Sequence, residues 1–417
     1  MSRQKWKKIK LTTFYFRQIT HTNHSTLILL KLIFSKMNYK KIIHSFFYLI
    51  ICSALHAQVN TEFANAIERK KLTKKLTQQI EATILLPLNE STYQQYEQAF
   101  WAMELMLYKP KKMQKVIINQ LKIITSTPPQ YQRAFFEMLY TNYLFKFNKE
   151  IATLWQNLAN PKVKAMALEY LKASNILPST PIYTVDSAQL FFYQKEKNKD
   201  LNNLKEDDFL NSNFLTNQLL VISFQHSNRN IPGYLMIRTQ QHKWLTNADG
   251  SVFKVPQLAR SITNLPYYLT NGNTPQGLYK LNGFAISDNK FIGPTTNLQM
   301  SMPFEISNDS FFNSTISDAH LAYKKLLYPF SENEHLWHSF YAGKLGRSEI
   351  IAHGTTINQQ YYKKEIYLPN TPSLGCLCSP ELWNKKGTRT YSAQQQWIDA
   401  LQKAGGGNGY LLVVEID

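Results

Sequence analysis

Cysteine is scarce in this chain, with three in 417 residues. Cys52 falls in an apolar N-terminal run, which leaves Cys376 and Cys378, two residues apart and with no third partner. A framework of disulfides between distant segments is therefore excluded. An Arg-rich stripe, zinc-finger spacing and the aromatic signature of RNA-binding sheets are also missing, so nucleic acid is not an expected partner. Acidic residues are absent from positions 1–57, which carry ten Lys or Arg. With those ten set aside, 37 basic residues face 28 acidic ones, leaving +9 of the overall +19. So mild a bias suits an anionic polymer surface or plain solubility charge.

Apolar material is plentiful: 44% of residues are hydrophobic and 13% aromatic, enough for a sizeable core and against a mostly disordered chain. The length allows two ordinary domains. From Met37 the chain reads Met-Asn-Tyr-Lys-Lys, then an apolar run over 42–55, then Leu-His-Ala ending at Ala57. A basic start, a short apolar stretch and a small residue before Gln58 describe a secretory signal peptide over 37–57. The run is too short for a membrane span. Met37 then reads as the true start and residues 1–36 as an upstream start artefact. The alternative is an extended signal or anchor that uses the apolar stretch 27–34. Ile51 is too bulky for a lipoprotein signal at Cys52. Export to the periplasm or cell envelope is expected, with membrane contact only through the signal segment if it stays uncleaved.

Two halves follow. Over 58–175 apolar residues recur at helical spacing: Phe63, Ile67, Leu72, Leu76, Ile80 and Ile84 form one stripe. Further helical patterns cover 91–107, 111–125, 129–146 and 148–158, and another begins at Asn160-Pro161, an N-cap with proline at the first helical position. Short helices with brief turns predict an all-α bundle or a repeat-like array. Residues 176–216, with Pro178, Pro181 and a polar stretch over 195–208, read as a linker. From 217 to 417 strands dominate, over 219–224, 234–238, 251–255, 278–286, 349–353 and 410–416, with a helix over 393–404. The expected fold class is α+β: an N-terminal helical domain, then a β-rich domain of sandwich or barrel type.

The chemistry concentrates in two short stretches. Ile350-Ile351-Ala352-His353-Gly354 is an apolar strand that delivers a histidine at its end, and Ser373-Leu374-Gly375-Cys376 presents a thiol about two dozen residues later. A cysteine attacks as its thiolate and needs a nearby base or cation to reach it. His353 supplies a base that can later protonate a leaving amine. Gly375 permits a sharp turn that frees N–H groups for a developing oxyanion. Each residue has a plain structural reading by itself. Together, in an exported chain with two mature cysteines, they read as an acyl-transfer site.

His353-Gly354 followed by Ser373-x-Gly375-Cys376 resembles the signature of the L,D-transpeptidase (YkuD-type) catalytic domain. Upstream, Asn273-Thr274-Pro275-Gln276-Gly277-Leu278-Tyr279 is similar to a Thr-Pro-x-Gly-x-aromatic segment of that family. The resemblance covers roughly 217–417. It implies Cys376 as nucleophile, His353 as base, and a backbone carbonyl near the Ser373–Gly375 turn that orients the imidazole. Gly354 takes a substrate-binding position. It further implies peptidoglycan stem peptides as substrate, a Cys376 thioester that releases D-alanine, and no metal or organic cofactor. The chain departs from the family at Leu374, often histidine there, and at Cys378, where an arginine is usual. The loop from His353 to Ser373, with Tyr361-Tyr362-Lys363-Lys364, is also longer.

These departures leave alternatives open: hydrolysis of the thioester by water, as an L,D-carboxypeptidase or amidase, or a non-catalytic wall-binding module. Cys378 either pairs with Cys376 in a redox-sensitive disulfide or packs as a small hydrophobe. His335-x-x-His338 has only Glu332 and Glu334 nearby as further ligands, so both histidines are expected in loops rather than on a metal. The helical half is expected to dock an envelope protein or to cover the catalytic cleft.

Overall fold

Packing along the chain was followed in a computed structural model, which describes residues 59–176, 204–315, 317–357 and 373–416. The expected signal peptide, the stretch before it, most of the expected linker and the Tyr361–Lys364 loop lie outside those residues.

Six helices fill the first described stretch: α1 Ala66–Thr83, α2 Tyr93–Met106, α3 Met113–Leu121, α4 Pro129–Asn142, α5 Asn148–Leu154 and α6 Pro161–Ala173. Their starts follow local chemistry. The Asn65 side chain accepts from the Ile67 and Glu68 N–H groups, and Asn160 caps α6 ahead of Pro161 in the same way. α1 packs on α2, α2 on α4, and α4 on α6. The expected α1 stripe holds at Ile80 and Ile84, which are buried, and fails at Ile67, which is 66% exposed. Arg69 is buried as well. Its Nη2 donates to the Thr356 carbonyl and hydroxyl, both at 2.6 Å, and its guanidinium lies over the Phe63 ring.

The later residues form α7 Glu206–Leu210 and strands β1 Leu220–Gln225, β2 Gly233–Arg238, β3 Val255–Gln257, β4 Gly277–Ala285, β5 Asn297–Ser301, β6 Ala352–His353 and β7 Leu377–Cys378. A hairpin β8 Glu381–Trp383 and β9 Arg389–Ser392 stands apart, and β10 Tyr410–Glu415 is the final strand. The eight-stranded sheet runs β3-β2-β1-β10-β4-β5-β6-β7. β1/β10 and β6/β7 are parallel, and the other pairs are antiparallel. Leu258, just past β3, exchanges two 2.9 Å backbone hydrogen bonds with Cys378. The two ends of the order thus meet, and the sheet is nearly a barrel. Mixed α/β architecture, with eleven α-helices among the described residues, is the result.

Period-two alternation sorts the central strands between two cores. Val221, Leu411 and Val413 join the cluster shared with the six helices, whereas Leu220, Ile222, Leu412 and Val414 join a second cluster. That second cluster holds Phe311 of α8 Asn308–Phe312, Tyr323 of α9 Ala319–Leu327 and Phe340 of α10 His338–Lys344. These three helices sit where the sequence reads as strands and loops. His335 and His338 are accordingly not loop residues. His335 belongs to the 3-10 turn Glu334–Trp337, and buried His338 opens α10 with its ring stacked on Tyr267 at 3.7 Å. The remaining helix, α11 Ala393–Lys403, matches its expected span.

The described residues from Val59 onward form one compact unit. The helices reach the loop before β4 at three points: Tyr268 Oη donates to Glu169 at 2.6 Å, Asn271 Nδ2 to Glu137 at 3.0 Å, and Lys162 Nζ to Thr270 Oγ1 at 3.0 Å. Among the described residues no helix is long and apolar enough to cross a membrane.

Candidate active site

β6 and β7 run parallel, with Ala352 opposite Leu377 and His353 opposite Cys378. Ala352 and Leu377 point into the core shared with the helices. Alternation sends Ile351, His353, Cys376 and Cys378 to the other face. The imidazole and the Cys376 thiol therefore share a face, two residues out of register. α11 braces the pair from behind: Gln394 Nε2 donates to the Ala352 carbonyl at 3.0 Å, and Trp397 Nε1 to Ser379 Oγ at 3.2 Å.

His353 is buried, and its Nδ1 lies 2.5 Å from the Gly354 carbonyl oxygen. A carbonyl only accepts, so Nδ1 carries the proton and Nε2 is the basic nitrogen. The orienting carbonyl thus comes from Gly354 and not from the Ser373–Gly375 turn. The carbonyls of that turn are engaged elsewhere: Ser373 accepts from the Ile262 N–H at 2.8 Å and Gly375 from the Thr274 hydroxyl at 2.9 Å. Thr274 lies in the upstream Thr-Pro-x-Gly segment, which is how that segment serves the site.

Within the turn, Ser373 Oγ accepts from the Gly375 N–H at 3.0 Å and donates to the Cys376 carbonyl at 2.8 Å. Ser373 is a clasp, and the Gly375 N–H is not free for an oxyanion. Among the described residues no acceptor meets the Cys376 N–H, which is the donor left for that role. Gly375 has φ of +117°, and a Cβ there would collide with Arg347 Nη2 and the Gly272 carbonyl. Gly354 is small for another reason, since a Cβ would strike the Glu381 carboxylate. Its place is set by that packing together with the carbonyl it turns to His353.

Cys376 is half-buried, and its sulfur is bracketed by the backbone that leads into β6. The Ile351 N–H donates to Sγ at 3.5 Å, and the thiol donates to the Glu349 carbonyl at 3.6 Å. Glu349 has φ of +62°, a left-handed conformation costly for a residue with a Cβ and often found at functional sites. Burial pushes the Cys376 thiol up to about 11, against the pull of the Ile351 N–H and the Arg347 guanidinium. Burial also lowers the His353 ring below its ordinary value, while its hydrogen bond to Gly354 works the other way. Both shifts favour the uncharged forms, a thiol at Cys376 and a neutral imidazole at His353.

Cys378 differs. It is fully buried, both its backbone groups pair with Leu258, and burial, then Glu381, raise its thiol well above the ordinary range. Neither cysteine is in a disulfide, and Cys378 is packed in the interior. Among the described residues no group of three or more His, Cys, Asp or Glu could hold a metal.

Two residues escaped the sequence reading. Arg347 lies against Gly375, and Glu381 is a fully buried carboxylate that accepts from Thr295, Ser392 and the Thr355 N–H. The one sequence signal for Arg347 was indirect, the glycine before Cys376 that makes room for it. Comparison with family models, with curated proteins and with solved structures returned no match.

Proposed function

We propose that this chain is an exported cysteine acyltransferase of the L,D-transpeptidase type, acting on peptidoglycan stem peptides. The observation that carries the reading is the parallel β6–β7 pair. There a histidine with Nδ1 tied to a carbonyl shares a face with a half-buried thiol that ends a Ser-x-Gly-Cys turn.

In this reading His353 Nε2 takes the proton of Cys376 as the sulfur attacks the peptide carbonyl before a terminal D-alanine. The Cys376 N–H meets the developing oxyanion. The tetrahedral intermediate collapses to a thioester, and the imidazolium passes its proton to the departing D-alanine amine. An amine of a neighbouring stem then gives up a proton to His353 and attacks the thioester, forming the cross-link and restoring the thiol. No metal or organic cofactor enters these steps. The helical layer, bonded to the loop before β4, would brace the site or dock a partner in the envelope.

The test is incubation of the reduced protein with a tetrapeptide fragment beside a Cys376→Ala control, followed by mass spectrometry. Cross-linked dimers with loss of D-alanine are expected, and the control should fall by about 10³-fold or more. Loss of D-alanine without dimers would move the assignment to hydrolysis. Absence of any Cys376-dependent product would leave a wall-binding module.

A further inference from the structure

We propose that Arg347 is the positioning cation of this site: its guanidinium, laid against Gly375, draws the Cys376 sulfur toward its thiolate form and holds it for attack. The proposal rests on reading Cys376 as the nucleophile.

Chain geometry carries it first. Residues 346–351 turn sharply after α10, with Gly346 at φ +82° and Glu349 at φ +62°. This single segment delivers the guanidinium to the turn before the thiol and then passes both backbone groups that touch the sulfur, Glu349 O and Ile351 N. Gly375 is the only residue type that fits beneath Nη2.

The partners of Arg347 carry it next. Nη1 donates to the Tyr267 carbonyl and, at 2.9 Å, to the Asn273 carbonyl, and Nη2 donates to the Gly272 carbonyl at 3.0 Å. Those are three neutral acceptors. None of the ion pairs among the described residues includes Arg347. Here a rigid cradle fixes the group and leaves its charge in place beside a sulfur that must become an anion. Of its five N–H groups, one on Nη2 and the one on Nε have no partner among the described residues.

Other charges around the thiol work in known directions. Glu349 and Glu305 oppose ionisation of Cys376, and Arg347 favours it. Tyr279 and Glu305 act on Arg347 itself, and Lys162 feels its charge from α6. Burial lowers Arg347 to about 10, so it remains a cation at neutral pH. His353 is neutral there, which leaves Arg347 as the charged group that favours the thiolate.

The experiment measures alkylation of Cys376 in the full-length reduced protein, read on its own peptide by mass spectrometry, with neutral iodoacetamide and anionic iodoacetate. For Arg347→Gln the iodoacetamide rate at pH 8 is expected to fall about tenfold, the change that one pKa unit produces. The iodoacetate-to-iodoacetamide ratio should fall severalfold, because the cation that favours the anionic reagent is gone. A loosened turn would alter both rates alike and leave the ratio unmoved. Arg347→Lys, which keeps the charge, should retain the wild-type ratio even if it melts earlier. A wild-type ratio in Arg347→Gln would overturn the proposal. So would a lost ratio in Arg347→Lys, which decides the matter alone if the glutamine variant does not fold. No peptidoglycan enters the assay, so failure of the transpeptidase reading would show separately.

Discussion

Two charged side chains flank the parallel strand pair, buried Glu381 and half-buried Arg347, and they are treated in opposite ways. Glu381, on the Cys378 side, is fully satisfied: hydroxyls of Thr295 and Ser392 donate at 2.6 Å each, the Thr355 N–H at 3.0 Å, and Arg389 stands 3.6 Å away. Burial still raises its carboxyl above the ordinary value, with those four partners pulling the other way. Arg347, on the Cys376 side, is held by carbonyls alone. A compensated charge fastens the hairpin β8–β9 to the end of β6. The Arg347 charge is in no ion pair among the described residues and feels Glu305 only from a distance, so it is left to favour a second charge that forms beside it. Under the proposed function, the difference separates scaffold from chemistry within one strand pair.

The largest effect that bears on this contrast belongs to the imidazole. His353→Ala should lower turnover by about 10²–10⁴-fold, the usual range for a general base, with little change in melting temperature. Steady-state assay on stem peptides beside thermal melting checks it. A fall in stability matching the fall in rate would return His353 to a structural role.

Glu381 should show the reverse pattern. Glu381→Ala strands Arg389 and two buried hydroxyls and should cost about 3–5 kcal/mol of stability. Glu381→Gln keeps the shape and should cost less. Chemical denaturation reads both. Equal stability of the alanine variant and the wild type would remove the scaffold half of the comparison.

How far this could be seen in sequence follows from the range of each interaction. Helices α1–α6 were legible because periodicity and caps such as Asn160-Pro161 are local. β1 and β10 were legible as strands, but their burial on both faces hid which residues face which core. Helices α8–α10 were missed, since Phe311, Tyr323 and Phe340 are held by contacts made across the sheet. At the site, His353 and Cys376 stood out by residue type and spacing. The partner of His353 Nδ1 did not, because an adjacent carbonyl leaves no mark in a side-chain pattern. Arg347 and Glu381 act on residues 28 and 26 positions away, at Gly375 and Thr355, and no local pattern connects them.

A smaller effect tests the two thiols directly. Cys378→Ala should leave turnover unchanged and cost about 1 kcal/mol for the lost packing. Cys378 in the wild type should resist iodoacetamide until the protein unfolds, whereas Cys376 reacts in the native state. Native-state labelling of Cys378 would contradict its burial and reopen a redox pairing with Cys376.

The smallest expected effect lies beneath the Arg347 cradle, where the helical layer holds it. Asn271, in the loop that also supplies the Gly272 and Asn273 carbonyls, donates to Glu137 of α4, and Glu104 of α2 is a second carboxylate there. Burial raises both carboxyls, and the charge of Glu137 raises Glu104 further. A carboxyl raised on folding keeps a proton that the unfolded chain has already released. Its contribution is therefore fully present below the ordinary carboxylate value and is lost as pH rises through the raised one. Glu137→Gln removes one of the two titrations and retains an acceptor for Asn271. Between pH 5 and pH 8 the variant should lose less melting temperature than the wild type, with Glu104 accounting for a residual slope. An unchanged slope would mean that the helical layer holds the cradle by packing and hydrogen bonding alone.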